Sequence, residues 1–198
     1  MNIKTEKLIS NKGNIIEGPL HVYPKIHGDS RGFFYESWNE KAWIETLRNN
    51  SQTYSPFVQD NHSSSSKGVL RGLHFQVSPC EQAKLVRCIK GEVYDVAVDI
   101  RKDSKTFAEW VAVFLNPTIA NQIWIPEGFA HGFLSLEEYN EINYKVTDYW
   151  NKNYDCSLLW DDEDLDIKWP IEKIENKKII LSEKDRNAQN LKTLINNL

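Results

Sequence analysis

The chain has 198 residues, of which 40% are hydrophobic, so it can bury a sizeable core and is not a disordered chain. Its 24 Lys and Arg and 28 Asp and Glu give a net charge of −4 with no basic block, which argues against charge-driven nucleic-acid binding. No apolar run reaches the roughly 20 residues of a membrane span, residues 1–13 lack a secretory-signal core, and three cysteines without a C-x-x-C pair favour a reducing compartment, so we expect a cytoplasmic protein without a membrane partner.

The first quarter of the chain mixes weak β patterns with turns. It predicts a polar lead-in, a strand, a turn and a second strand, in this order: residues 1–19, 20–26, 27–32 and 33–36. Ser37 and Glu40 have the spacing of a capping box, and apolar residues recur behind them at helical spacing. We therefore predict a short helix over residues 38–48.

From residue 57 to residue 150, short alternating runs are separated by turns. The predicted strands, with a loop over 62–68, are residues 57–61, 69–76, 83–89, 92–100, 106–115, 122–125, 132–136 and 141–150. Seven or more short strands with frequent turns are typical of a β-sandwich or barrel.

The C-terminal part is more polar. The acidic run over residues 161–166 reads as a solvated turn, and Ser182 with Asp185 forms a capping-box variant that opens a helical tail over about 182–195. No repeat, low-complexity tract or linker interrupts the chain, so we predict one domain over residues 1–198.

The strand over residues 69–76 carries a histidine close to a glycine. In strict alternation Gly72, His74 and Gln76 share one face, and glycine leaves room for a ligand. Arg71 then faces away, unless Gly72 marks a bulge or Arg71 acts from the strand mouth. His74 is thus either a core residue bonded to a carbonyl or a group that faces a cavity.

A second histidine closes a P-x-G-x-x-H pattern formed by Pro126, Gly128 and His131. This spacing resembles the second motif of the cupins, and it favours a mainly β, cupin-type double-sheet jelly roll with a few short helices. A metal-binding cupin would carry H-x-H in its first motif, whereas here Gln76 follows His74. We therefore expect no metal site, and a structural role for His131 across a turn stays open.

Three further polar groups interrupt apolar strands: Lys84, Tyr144 and either Asp95 or Asp99. Singly, a strand lysine is usually an edge residue and a strand tyrosine usually packs. Gathered with a histidine in one barrel, they would supply a base, an electrophile for an oxyanion and an acid, which suits proton abstraction beside a carbonyl. No G-x-S-x-G, P-loop or G-x-G-x-x-G pattern is present, which argues against those hydrolase and nucleotide-cofactor classes.

Seven blocks in series resemble the dTDP-4-dehydrorhamnose 3,5-epimerase family. They occur in order with similar gaps, at residues 29–36, 57–62, 69–76, 84–88, 91–101, 124–133 and 181–185. The resemblance implies a homodimeric jelly roll, with no cofactor, that epimerises a nucleotide-linked 4-keto-6-deoxyhexose. The pathway implied is deoxysugar supply for surface polysaccharide, such as the O-antigen of lipopolysaccharide.

The resemblance also implies roles for individual residues. His74 would be the base, held by Asp185, which competes with the capping role of Asp185. Lys84 would stabilise the enolate at the C4 oxygen, and Tyr144 would be the acid on the opposite face. The residues implied in nucleotide-diphosphate binding are Arg31, Glu36, Gln59, Asn61, Arg71, His131 and Lys184.

Two positions depart from the family pattern, both on the nucleotide side of the implied site. Trp150 stands where a tyrosine commonly stacks on the base, and Asp155 stands where a glutamate is common. Because tryptophan stacks on any base, a CDP-linked sugar stays open, as does inversion at C3 alone. From other classes, a metal-dependent cupin and a non-catalytic sugar-nucleotide binding cupin remain alternatives, and Gln76 counts against the first.

Overall fold

Two antiparallel β-sheets pack against each other in the computed structural model, which describes residues 3–197. The thirteen strands in this part of the chain are β1 Lys4–Ile9, β2 Ile15–Tyr23, β3 His27–Asp29, β4 Gly32–Phe34, β5 Gln59–Ser65, β6 Leu70–Gln76, β7 Lys84–Lys90, β8 Val93–Asp99, β9 Trp110–Leu115, β10 Gln122–Ile125, β11 Phe129–Ser135, β12 Asn140–Val146 and β13 Asp155–Ser157. The helices are α1 Glu40–Asn49, α2 Glu183–Arg186 and α3 Leu191–Asn197, and two short 3₁₀ turns span Ile171–Lys173 and Glu175–Lys177.

The strand order is β1-β2-β10-β7-β12-β5 in one sheet and β13-β6-β11-β8-β9 in the other, while β3 and β4 form a separate hairpin. Sequence neighbours therefore often lie in different sheets, as in a double-sheet jelly roll. The predicted fold class is confirmed.

Apolar side chains fill three layers. The layer between the sheets includes Val86 and Ile123 from one sheet and Val111 and Phe133 from the other. The outer face of the six-stranded sheet is covered by α1, and that of the five-stranded sheet by the C-terminal segments. Both sheets are thus covered by apolar side chains on two faces.

The lead-in expected over residues 1–19 was wrong, because this stretch contains β1 and the start of β2, joined by a turn. β1 is an edge strand with mostly exposed side chains, so its place is set by backbone pairing with β2 rather than by apolar alternation. β13 was missed because its three residues are held by pairing with β6.

The polar loop expected over residues 62–68 was also wrong in part, since β5 continues to Ser65. β5 is the other edge of the six-stranded sheet, and Gln59, Asn61 and Ser63 face a cavity rather than the core. Polar residues therefore alternate where apolar ones would in a core strand.

Two helix predictions needed correction. The Ser37–Glu40 capping box was wrong: α1 begins after Asn39, whose side chain accepts a hydrogen bond from the Ala42 N–H at 3.1 Å. The single helical tail divides into α2 and α3, although Ser182 caps α2 as predicted by accepting from the Asp185 N–H at 3.1 Å.

Candidate active site

A cavity of about 340 Å³ opens between the two sheets. Both sheets contribute to its walls, because β5, β7 and β12 supply residues from one side and β6, β11 and β13 from the other. The residues predicted from sequence that line it are Gln59, Asn61, Arg71, His74, Lys84, His131, Tyr144, Trp150, Asp155 and Lys184.

His74 on β6 bonds to Asp185 on α2, with 2.5 Å between Nε2 and Oδ1. Asp185 is only 3% exposed, and burial acts to raise its pKa, but hydrogen bonding to His74 and to the Gly72 backbone N–H outweighs burial and lowers the pKa. The ionised carboxylate therefore accepts the Nε2 proton, so the bond assigns Nδ1 as the imidazole nitrogen that can take up a proton. The carboxylate and the capped N–H of Asp185 act separately, so both predicted roles are compatible.

Lys84 on β7 points into the same cavity. Its Nζ donates a hydrogen bond to the backbone carbonyl of His74 at 3.1 Å. Burial, opposed in part by the carboxylates of Asp95 and Asp155, lowers the Lys84 pKa to about 8. At neutral pH the cavity thus holds an ammonium group beside the histidine.

His131 lies directly opposite His74 in the ladder between β11 and β6. Its Nε2 is 3.0 Å from each carboxylate oxygen of Asp95, and burial lowers the His131 pKa. The choice between Asp95 and Asp99 is settled as well, since Asp99 bonds to Arg101, Ser104 and Thr106 at the end of β8. Asp95 fixes a cavity histidine, whereas Asp99 holds a turn.

Tyr144 on β12 lines the wall contributed by the six-stranded sheet. It pairs with Asn61 on β5, and burial raises its pKa, so the phenol keeps its proton at neutral pH. Sequence reasoning missed Ser63, two residues further along β5, whose buried Oγ has no hydrogen-bond partner among the described residues. Its alternation with Gln59 and Asn61 was the available signal.

A bulge in β6 brings Arg71 to the cavity. His131 pairs with His74 and Phe133 with Arg71, so β6 uses one residue more than β11 over this interval. Gly72 sits in the bulge with φ +131°, where a Cβ would lie 2.5 Å from the Cα of Gly132. Simple alternation, which turns Arg71 away, therefore fails, and the bulge alternative is the correct one.

The cavity mouth carries an ion pair and an aromatic ring. Lys184 Nζ lies 2.5 Å from Asp155 Oδ2, and Trp150 is 56% exposed. Trp150 and Asp155 are the two positions where the sequence departs from the family pattern, and Lys184 is one of the residues implied in nucleotide-diphosphate binding.

Two predicted binding residues lie away from this cavity. Arg31 is in the turn of the β3–β4 hairpin, and its guanidinium bonds to Asp29 at 2.5 Å. Glu36 follows the hairpin and accepts a hydrogen bond from Asn39 Nδ2 at 3.1 Å. Neither lines the cavity of its own chain.

Within residues 3–197, no group of three or more His, Cys, Asp and Glu side chains is placed to hold a metal ion. The Gln76 amide, at the position of a cupin ligand, bonds to backbone groups instead. In the same part of the chain no helix has the length and apolarity to cross a membrane.

Fold and site together define a cupin-like jelly roll whose cavity carries acid–base groups. The family model described as dTDP-4-dehydrorhamnose 3,5-epimerase matches residues 14–193, and the chain belongs to this family of sugar-nucleotide isomerases. The enzyme of this name from Salmonella typhimurium is 52% identical over 169 residues, which cover 85% of this chain and 88% of the relative.

Two solved structures are similar over nearly the whole chain. The dTDP-6-deoxy-D-glucose-3,5-epimerase of Legionella pneumophila, in complex with dTDP-4-keto-L-rhamnose, is 44% identical with a TM-score of 0.84, covering 97% of this chain and 95% of that one. A 3'-monoepimerase from Streptomyces bikiniensis, in complex with dTDP-quinovose, is 31% identical with a TM-score of 0.81, covering 91% and 87%.

Proposed function

We propose that this chain epimerises dTDP-4-dehydro-6-deoxyglucose at the carbons on either side of the C4 ketone, at C3 and C5. The observation that carries the proposal is the pairing of His74 with Asp185 beside the Lys84 ammonium, in a cavity that Tyr144 also lines. Membership of the family and the substrates named for its relatives support the choice of sugar.

The proposed reaction moves one proton at a time. His74 Nδ1 removes the proton from the carbon beside the ketone, and the C–H electron pair moves to give an enolate at the C4 oxygen. Asp185 stabilises the resulting imidazolium, while the Lys84 ammonium stabilises the oxyanion. The Tyr144 hydroxyl then gives a proton to the same carbon from the other face, and proton exchange with solvent restores both residues.

The remaining cavity residues are proposed to bind the nucleotide diphosphate. Arg71 and Lys184 are cations suited to the two phosphates, and the amides of Gln59 and Asn61 offer neutral hydrogen bonds. His131, buried and bonded to Asp95, would donate or accept one hydrogen bond without changing charge. Trp150 and Asp155 would meet the base at the mouth.

We also propose a homodimer, one domain per chain, in which the β3–β4 hairpin of one copy completes the site of the other. The hairpin exposes Phe33 and Phe34, which are 66% and 68% accessible, next to Arg31. An aromatic pair left in solvent is unfavourable unless a partner covers it. This arrangement would bring Arg31 and Glu36 to a cavity that neither reaches in its own chain.

Inversion at C3 alone is the second candidate, and the likeness to a 3'-monoepimerase supports it. A CDP-linked substrate is a further variant, since a tryptophan platform does not select thymine. We place the reaction in the cytoplasm, in the supply of deoxysugar for surface polysaccharide.

The deciding experiment is incubation with dTDP- and CDP-linked 4-keto-6-deoxyglucose in deuterated water, followed by mass spectrometry. Deuterium at C3 and C5 of the dTDP sugar is the expected result, and deuterium at C3 alone would select the second candidate. A protein that binds the nucleotide but exchanges no deuterium would be a non-catalytic binding module and would contradict the proposal. Full exchange after chelation separates it from a metal-dependent cupin.

A further inference from the structure

Residues 148–151 lie at the cavity mouth, in the segment outside any strand that links β12 to β13. Glutamine side chains bond to a backbone group of each of these four residues. Gln82 Nε2 donates to the Asp148 carbonyl at 2.7 Å, and Gln59 Oε1 accepts from the Trp150 N–H at 3.3 Å. Gln76 holds the residues on either side of Trp150.

Gln76 is the central member of this glutamine clamp, which we define as Gln59, Gln76 and Gln82. Its Nε2 donates to the Tyr149 carbonyl at 3.2 Å, and its Oε1 accepts from the Asn151 N–H at 2.6 Å. The second proton on Nε2 goes to the Cys80 carbonyl at 2.5 Å, so every polar atom of the amide is used. With 7% of its surface exposed, Gln76 makes these bonds away from competing water.

The clamp draws on both sheets. Gln76 is the last residue of β6 in the five-stranded sheet, Gln59 is the first residue of β5 in the six-stranded sheet, and Gln82 precedes β7. A segment outside any strand has no ladder to fix its backbone, so these side chains replace the ladder. The clamp thereby fixes the backbone from which the Trp150 side chain extends to the mouth.

We propose that Gln76 is a positioning residue for nucleobase recognition, because it holds Trp150 in place as a preformed stacking platform. The inference rests on the proposed function, since it requires a nucleoside diphosphate sugar in the cavity. A platform that is ordered before binding spares the ligand the entropy cost of ordering it. Gln76 should therefore act on nucleotide affinity and leave the chemistry at His74 unchanged.

Gln76→Met removes the hydrogen bonds at nearly constant volume, and the test compares it with Trp150→Ala and with the double variant. Titration calorimetry with dTDP, together with kcat and KM for deuterium wash-in, reads out each variant. Base–aromatic stacking of the usual strength corresponds to a loss of about 5- to 150-fold in affinity on removing the ring. We expect Gln76→Met to lose about tenfold within that range, with kcat within twofold of wild type. The double variant should bind dTDP no more weakly than Trp150→Ala, because Gln76 acts through the ring.

Two variants keep the test decisive. Gln82→Met removes a single clamp bond, so it should cause a smaller loss of dTDP affinity than Gln76→Met. This loss should also disappear in the Trp150→Ala background. Gln82→Met therefore takes the place of Gln76→Met in the test if Gln76→Met does not fold. Gln122→Met is the matched control, because Gln122 is a buried glutamine that donates to the Ser37 carbonyl away from the cavity. It should leave dTDP affinity unchanged.

Separate outcomes overturn the inference and the proposed function. The inference about Gln76 alone would be overturned if the wild-type protein exchanges deuterium and the Gln76→Met variant binds dTDP as tightly as wild type does. The same inference would be overturned if the affinity losses of Gln76→Met and Trp150→Ala multiply in the double variant, or if Gln76→Met lowers kcat at an unchanged KM. Wild type that binds no dTDP would overturn both.

Discussion

The Lys84 ammonium donates a hydrogen bond to the main-chain carbonyl of His74, 3.1 Å away. The proposed oxyanion stabiliser is therefore joined to the proposed base through the backbone of β6, across the space between the sheets. A buried ammonium with one fixed partner keeps donors free for a developing oxyanion.

Replacement of His74 by Ala should lower kcat for deuterium wash-in by on the order of 10² or more, the usual contribution of a general base. Affinity for dTDP should stay within a few-fold of wild type, because the diphosphate is assigned to other residues. Undiminished turnover would contradict the assignment of the base.

Replacement of Asp185 by Asn should also cost on the order of 10² in kcat, because an amide neither fixes the tautomer nor stabilises the imidazolium. Ser182→Ala is the matched control, since it removes the cap of the Asp185 N–H but keeps the carboxylate. It should cost about 1 kcal/mol in the free energy of unfolding with little change in kcat. Equal kcat losses in both variants would mean that Asp185 acts only by holding α2.

The value of kcat/KM should fall as pH rises through about 8, the pKa to which burial lowers Lys84. Above this pH the amine is neutral and no longer stabilises the enolate oxygen, whereas burial keeps the Tyr144 phenol protonated to higher pH. Lys84→Met should abolish the activity, while Lys145→Met, which removes a lysine paired with Asp60, should keep the alkaline limb. A profile flat to pH 9.5 or so would refute this role for Lys84.

The same group links stability to pH. The unfolded chain holds the Lys84 proton up to the ordinary pKa of 10.5, but the folded chain loses it near 8. Between these values the unfolded state binds more protons, so the Lys84 contribution to the free energy of unfolding rises with pH. In urea denaturation, the free energy of unfolding of wild type should rise relative to that of Lys84→Met between pH 8 and pH 10.5. A fall over this interval would contradict a lowered pKa for Lys84.

Gly72→Ala should destabilise the fold by about 2–4 kcal/mol, because the new Cβ meets the backbone of β11 at a φ that alanine rarely adopts. Gly13→Ala is the control that separates the steric contact from the backbone strain. Gly13 also has a positive φ, +85°, but a Cβ added there would meet no atom within 4 Å. It should cost about 1 kcal/mol. Thermal unfolding measures both, and equal losses would leave no role for the close approach to Gly132.

Arg31→Ala should weaken dTDP binding although Arg31 lies outside the cavity of its own chain. Mixing Arg31→Ala and His74→Ala proteins after subunit exchange should restore activity to about a quarter of wild type, because each mixed dimer then has one intact site. A mixture no more active than its components would contradict the exchange of hairpins.

The amino-acid sequence determined the β class, the approximate position of most strands, and which residue types could carry proton transfer. The β-strand patterns at residues 69–76 and 83–89 are local features of the sequence, so they located β6 and β7 without knowledge of the fold. The chemistry of His74, Lys84 and Tyr144 is likewise a property of each side chain.

Only the tertiary structure decided which groups meet. Asp185 reaches His74 across 111 residues of sequence, Asp95 rather than Asp99 bonds to the cavity histidine His131, and the Gly72 bulge brings Arg71 to the cavity wall. The physical reason is that strand pairing and sheet packing join distant segments, and a one-residue register shift reverses a side chain. Edge strand β1 is held by backbone pairing with β2, and residues 148–151 are held by glutamine side chains that bond to their backbone. Neither kind of bond leaves a periodic pattern in the sequence.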